Sequence, residues 1–177
     1  MPAQFWRSVL NSPGVGPGTP LASSTTLTDI SPAPQLVLPA NYLYVGQRLR
    51  LTAYGTYSTT GAPTLLLGAY YGGVAGVALA ATAANATATG AAAYPWNLWL
   101  DIYVRSVGSS GTLWCNGLVN VGSSLTAFTG YALPSSQTQP ITVNTTTANA
   151  VTVGGQWGTS SASNTITCQD AYVEALS

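Results

Sequence analysis

Two long segments in which apolar and polar residues alternate strictly constrain this fold more than any other feature. From Leu49 to Tyr57 every odd-numbered residue is apolar or small, and every even-numbered residue carries a charge or a hydroxyl. From Leu98 to Val104 the even-numbered residues are aliphatic, and Trp99, Asp101 and Tyr103 stand between them. Successive side chains of a strand point to opposite faces, so both segments are predicted strands with one face in a core.

Shorter segments of similar chemistry predict the remaining strands. Gly108–Gly111 is a hairpin signal, and no stretch shows a helical pattern with caps. The Ala-rich residues 78–93 are interrupted by Thr, Asn and Gly, which favours a strand and a long loop there. The further predicted strands are Thr64–Tyr71, Thr112–Val121, Pro140–Thr146 with Ile141 and Val143 inward, Ala150–Trp157 with Val151 and Val153 inward, and Asn164–Leu176.

The last predicted strand changes its inward parity along its length. Ile166 and Cys168 are even-numbered, whereas Val173 and Ala175 are odd-numbered. A β-bulge adds one residue to a strand and reverses its alternation, so we expect a bulge near residues 169–170.

Together these elements predict an all-β fold, a jelly-roll-like antiparallel β-sandwich of about eight to ten strands over residues 23–177. Another Greek-key sandwich is the alternative topology. Residues 1–22 are predicted to form an extended, irregular N-terminal arm, because Pro and Gly dominate its second half. A group of residues in this arm, apolar except for Arg7, is a candidate anchor on a larger surface: Phe5, Trp6, Arg7, Val9 and Leu10. The alternative is that Phe5 and Trp6 fold back onto the domain.

The side chains that most enzymes need are missing from this sequence. Charged residues make up 5% of the chain, against about 25% in an ordinary domain, and there is no histidine or lysine. Ser-His-Asp and Cys-His arrangements, Schiff-base chemistry and a Walker A lysine are therefore excluded. Four arginines are too few and too scattered for a nucleic-acid interface or a polybasic membrane patch.

Carboxylates leave one enzymatic route open, because glycoside hydrolysis needs only two of them. Asp170 and Glu174 share a parity on one predicted strand, which places them roughly 13 Å apart, too far for that reaction. Asp101 could approach either from a neighbouring strand, but it is more simply explained as a cross-strand partner of Arg48, Arg50 or Arg105. We therefore predict a protein that is not an enzyme.

The two cysteines, Cys115 and Cys168, lie in different segments, and a chain with no histidine and only four acids lacks the ligands for a zinc site. They are interpreted as small buried residues on core strands, and a disulfide remains open if those strands are neighbours. We predict no catalytic, cofactor-binding or metal-binding residues.

Several aromatic residues occupy the outward positions of the predicted strands, namely Tyr54, Trp99 and Tyr103. Two roles fit them. Aromatic side chains are favoured in subunit interfaces, and an outward face with few charges favours an interface between copies of this chain. The alternative is a glycan-binding face, on which sugar rings stack and amide side chains bond their hydroxyls.

Neither a leader nor a membrane span is predicted. Residues 1–7 lack the basic and apolar regions of a signal peptide, and Pro and Gly follow at once. The most apolar stretch, residues 65–93, is broken repeatedly by Gly, Thr and Asn. We expect synthesis in the cytoplasm and no membrane partner.

Three phrases of this sequence resemble small virion proteins of tailed bacteriophages. They are LYVGQRLRLTAYG at Leu43–Gly55, TLLLGAYYGG at Thr64–Gly73 and VGGQWGTSSASNT at Val153–Thr165. They are similar to phrases of jelly-roll capsid decoration or minor capsid proteins and of related tail-fibre head domains.

This resemblance implies a homotrimeric jelly roll on the virion surface, made in the host cytoplasm and bound to the major capsid protein through a short N-terminal arm. It implies no cofactor and no active-site residues. The expected function is a capsid decoration protein that stabilises the shell or displays a binding surface. The alternative is a tail-fibre or minor tail head domain that binds cell-surface glycans.

Overall fold

The structure, a computed structural model, describes residues 7–11 and 16–176, with the side chain of Arg7 left out. All regular secondary structure in these residues is β, and none of them forms a helix that could cross a membrane. The fourteen strands are β1 (Arg7–Val9), β2 (Leu21–Ala22), β3 (Thr28–Asp29), β4 (Leu36–Leu38), β5 (Arg48–Ser58), β6 (Thr64–Tyr71), β7 (Val77–Ala81), β8 (Asn85–Ala86), β9 (Tyr94–Ser106), β10 (Gly111–Gly122), β11 (Phe128–Leu133), β12 (Ile141–Val143), β13 (Asn149–Trp157) and β14 (Thr165–Leu176).

The strands form two antiparallel sheets. Sheet A has the order β1-β14-β5-β9-β10-β11, with β2 beside β14 and β12 beside β10. Sheet B has the order β3-β13-β6-β7, with β4 beside β13 and β8 beside β6. The predicted all-β sandwich is confirmed. Eight of the strands found in the described residues have five residues or more, and the other six have two or three; of these six, β12 lies within the predicted strand Pro140–Thr146.

The core lies between the sheets, and the predicted parities place its side chains correctly. The inward side chains of β5 and β9 are almost completely buried; they are Leu49, Leu51, Ala53 and Tyr57 in β5, and Trp96, Leu98, Leu100, Ile102 and Val104 in β9. The largest side chains enclosed in the core are Trp96, Trp157 and Tyr57. The predicted inward residues of β12 and β13 are buried as well: Ile141, Val143, Val151 and Val153. The buried Tyr57 hydroxyl has a partner inside the core, since it donates to the Gly122 carbonyl oxygen.

The predicted bulge in β14 is confirmed. The pairing of β14 with β5 shifts between Cys168 and Asp170, leaving Gln169 as the extra residue on the exposed side. As a result Cys168 and Val173 both point into the core, although their numbers differ in parity. The Gly108–Gly111 hairpin between β9 and β10 is also as predicted, as is the strand and loop in residues 78–93.

Parts of the predicted irregular arm are strands, which corrects that expectation. Residues 7–9 pair with the free edge of β14, and the Leu10 N–H then donates to the Val173 carbonyl oxygen at 2.7 Å. Leu21 pairs with Ile166 and is buried. The unpaired edge of β14 offers N–H and C=O groups to any nearby chain, and segments this short carry no alternation signal.

A glycine at the middle of sheet A generates a stability prediction. A Cβ added to Gly55 in β5 would collide with the Thr167 carbonyl oxygen and approach the Trp96 indole nitrogen. We expect Gly55→Ala to lower the free energy of unfolding by about 1–3 kcal/mol, the usual cost of overpacking. Gly61→Ala is the matched control, because nothing lies within 4 Å of its added Cβ. Urea unfolding followed by tryptophan fluorescence measures both, and equal stabilities would contradict this packing.

Candidate functional site

The charged residues of this chain are separated between the two sheets. Seven of the eight lie in strands of sheet A: Arg7, Arg48, Arg50, Asp101, Arg105, Asp170 and Glu174. The eighth, Asp29, lies in β3 at the end of sheet B, where the Ser31 N–H and the Gln35 amide donate to it. The chemistry available to a ligand is therefore concentrated on the outer face of sheet A.

The register of β5, β9 and β10 aligns this outer face in rows. Arg48 of β5 is opposite Tyr103 of β9, and Tyr103 is opposite Trp114 of β10. Because directly opposed residues of antiparallel strands have Cβ atoms about 5 Å apart, these three side chains form one continuous row. Arg105 follows two residues after Tyr103 and extends the cluster along β9.

A second row lies beside the first. Arg50 is opposite Asp101, and Asp101 is opposite Asn116. The guanidinium of Arg50 donates two hydrogen bonds to the carboxylate of Asp101, from Nε to Oδ1 at 2.6 Å and from a terminal nitrogen to Oδ2 at 2.8 Å. The hydrogen bond to Asp101 raises the pKa of Arg50 above its ordinary value, partial burial opposes this, and the charges of Asp101 and Glu174 add to the rise.

The two rows enclose an open groove of about 420 Å³. Its walls come from both rows, and Arg105 and Leu176 complete them. This volume lies within the range of roughly 300–1,000 Å³ that small-molecule sites occupy. The groove combines cations, hydrogen-bonding side chains and two aromatic rings in one place, and is therefore the candidate functional site.

Two arginines in the groove rest on aromatic rings instead of acids. The guanidinium carbon of Arg48 lies 5.5 Å from the ring centre of Tyr103, and that of Arg105 lies 4.5 Å from it. Arg105 is also 5.7 Å from the ring centre of Trp114. Within the described residues, no acidic side chain forms an ion pair with either arginine. Such cation–π contacts hold a guanidinium in place and leave its charge without an anion.

The predicted outward aromatic residues all lie on this face, but they do not form one site. Tyr103 is part of the groove. Trp99 lies in the next row, half-buried, with the Arg50 guanidinium 5.8 Å from its ring centre. Tyr54 lies one row further away, and its hydroxyl donates to Asp170 at 3.1 Å, which raises the pKa of Tyr54.

Sequence reasoning missed Trp114 and the joint role of Arg48 and Arg105. Trp114 stands between the buried Leu113 and Cys115 at an outward position of β10, so its parity could have revealed it. The clustering of the arginines could not be read in that way. It depends on which residue of β5 is opposite which residue of β9, and these strands are separated by β6, β7 and β8.

The candidate anchor residues fall in different places. Phe5 and Trp6 lie outside the described residues, as does the side chain of Arg7. Val9 is exposed on β1, whereas Leu10 is partly buried against the core. Of the described anchor side chains, Val9 is thus the accessible one.

The groups with potential for covalent or metal chemistry are kept apart. Within the described residues, no three His, Cys, Asp or Glu side chains come together as a metal site. Asp101 is the described acid that lines the groove, and both of its oxygens bond to Arg50. Arg50 also stands between Asp101 and Glu174 in the row, because it is opposite both of them.

Comparison with known proteins identifies no relative. No protein-family model matches the chain, and neither a curated protein nor a solved structure is significantly similar to it. The class that the fold and the site define is therefore an antiparallel β-sandwich with an arginine–aromatic groove on one sheet.

The cysteines generate a prediction about reactivity. Cys115 and Cys168 are free and buried, and burial raises the pKa of each thiol to about 12. At about pH 8 both are therefore protonated and shielded, and only a thiolate is a good nucleophile. We expect an aromatic disulfide reagent to label two thiols per chain rapidly after unfolding in guanidinium, and hardly at all in the native protein. Rapid labelling of the native chain would contradict this structure.

Proposed function

We propose that this chain is a non-enzymatic phage virion protein, a homotrimeric capsid decoration protein that binds the major capsid protein on the outside of the shell. The observation that carries the proposal is the separation of charge between the sheets. Sheet A holds seven of the eight charged residues, and the strands of sheet B hold only Asp29. Sheet B therefore offers a broad face that a second copy can cover without burying ions.

The outer face of sheet B has the surface that such packing needs. Small residues form its centre, where Gly68 of β6 is opposite Gly154 of β13. The ring of Tyr70 lies against Gly154, so closely that a Cβ there would collide with it. Val37 is outward on β4, between the buried Leu36 and Leu38, and is 53% exposed. The result is an uncharged surface that combines small, apolar and neutral polar residues.

Physical chemistry favours covering this face with copies of the same chain. Burying charges costs several kcal/mol per ion unless each is well paired, and sheet B imposes almost none of that cost. The formal net charge of the chain is zero, so repulsion between copies is weak. Oligomers of identical chains are usually closed and symmetric, and a ring of three copies is one such arrangement.

The phage setting is supported by the three phrases that resemble virion proteins. Leu43–Gly55 includes most of β5, Thr64–Gly73 covers β6, and Val153–Thr165 spans the end of β13 and the loop before β14. Two of these phrases therefore form neighbouring strands of sheet B, since β6 pairs with β13. The third phrase, Leu43–Gly55, lies in sheet A and includes Arg48 and Arg50 of the groove.

A second candidate function is a host-recognition domain at a phage tail that binds cell-surface glycans. The groove on sheet A favours it, because aromatic rings and hydrogen-bonding side chains converge there. The two candidates differ in where the protein sits on the particle. They share the sandwich and the absence of a catalytic role.

Self-association through sheet B is tested by charging its outer face. We expect the wild-type chain at micromolar concentration to have about three times its 18.1 kDa mass by light scattering. Val37→Arg places a charge in the proposed interface, so we expect a monomer. Ala132→Arg is the matched control, because Ala132 is exposed on β11 of sheet A. A monomeric wild type, or an unchanged trimer in Val37→Arg, would contradict the proposed interface.

A further inference from the structure

We propose that the groove on sheet A binds a carboxylate-bearing saccharide, such as a uronic acid unit of an acidic polysaccharide. Arg48 and Arg105 would hold the carboxylate, and the sugar ring would pack on Trp114. This site goes beyond the assembly role, because it lies on the opposite sheet from the proposed interface and is formed by one copy of the chain.

Charge is the first argument for an acidic ligand. Three of the four arginines of this chain line one groove, and Asp101 is the described acid that lines it with them. Asp101 bonds to Arg50 through both oxygens, which leaves Arg48 and Arg105 without an acid partner among the described residues. Holding two cations near each other without an anion is unfavourable, and a bound carboxylate relieves that repulsion.

Geometry indicates where the carboxylate would lie. The guanidinium groups of Arg48 and Arg105 lie 5.5 and 4.5 Å from the ring centre of Tyr103, and both side chains line the same groove, so one ligand there is close to both. The stacking fixes the side chains in advance, which reduces the entropy lost on binding. The planar guanidinium matches a carboxylate with two parallel bonds, as Arg50 already does with Asp101.

The rest of the groove argues for a sugar ring attached to that carboxylate. Trp114 is 44% exposed, although most side chains of its size are buried, and it gives the groove an open apolar surface. Asn116 beside it is exposed and provides an amide donor and acceptor for hydroxyl groups. A sugar ring offers both apolar C–H faces and hydroxyls, so it matches this pairing of tryptophan and amide.

The small volume of the groove and its small number of cations argue against nucleic acid as the ligand. A nucleic-acid strand carries a phosphate at every nucleotide, and tight binding requires several cations along its path. The groove has two arginines that are not paired with acids, and its volume of about 420 Å³ suits a small unit. A single carboxylate on a saccharide unit matches these two arginines.

The experiment is a calorimetric titration of the full chain with tetragalacturonate, and with its methyl ester as the uncharged counterpart. We expect the acid to bind and the ester to bind at least about tenfold more weakly, because the ester cannot form charge-assisted bonds. Arg48→Gln and Arg105→Gln should each weaken binding of the acid by about tenfold. Trp114→Ala should weaken both compounds by a similar factor.

Matched controls separate this site from general effects. Tyr54→Ala removes another exposed aromatic residue from the same face outside the groove, so it should leave binding unchanged. Polyglutamate of equal charge tests whether carboxylates suffice, and it should bind less tightly than tetragalacturonate. Thermal unfolding confirms that each variant is folded.

Several results would overturn the proposal: no binding of tetragalacturonate at millimolar concentration, equal binding of acid and ester, equal or tighter binding of polyglutamate, or unchanged binding in folded Arg48→Gln and Arg105→Gln variants.

Failure of this proposal can be distinguished from failure of the assembly role. A trimer that binds no acid would contradict the groove assignment alone, whereas a monomer that binds the acid would contradict the assembly role alone. The Val37→Arg variant should bind the acid as the wild type does.

Discussion

Antiparallel pairing of β5 with β9, and of β9 with β10, is the constraint on which the rest of this structure depends. The inward positions of these strands build the core, with Leu49, Leu100 and Cys115 almost completely buried. The same register aligns Arg48 with Tyr103 and Tyr103 with Trp114 on the other side. A shift of one residue would move apolar side chains into water and would disperse the groove. Core stability and site geometry are thus set by one set of backbone pairings.

Much of the fold could be predicted from the sequence, because β5 and β9 are long enough to display their alternation. Even the bulge near Gln169 followed from a change of parity within β14. The strands β1 and β2 could not be predicted, since they are held by the free edge of β14 and not by their own pattern. The groove could not be predicted from alternation alone. Outward directions for Tyr103 and Asp101 were predictable, but the position of Arg48 beside them depends on long-range register.

The two sheets offer different surfaces to their surroundings. Sheet A carries nearly all the charge, with Arg50 paired to Asp101 and with Arg48 and Arg105 held on aromatic rings. The centre of sheet B consists of small residues covered by Tyr70, and its strands carry a single charge at Asp29. Such a division suits a protein that packs against its own copies through one sheet and keeps the other accessible. In this account the scarcity of charge favours assembly, and the few charges present define a binding site.

Electron cryo-microscopy of purified particles that carry the protein tests this account most directly, because it reveals both the location of the chain and the direction of each sheet. The account predicts three copies around a threefold axis on the outside of the shell. Sheet B should lie between the copies, and the groove around Arg48, Arg105 and Trp114 should face solvent. Density confined to the tail, or a groove buried between copies, would contradict it.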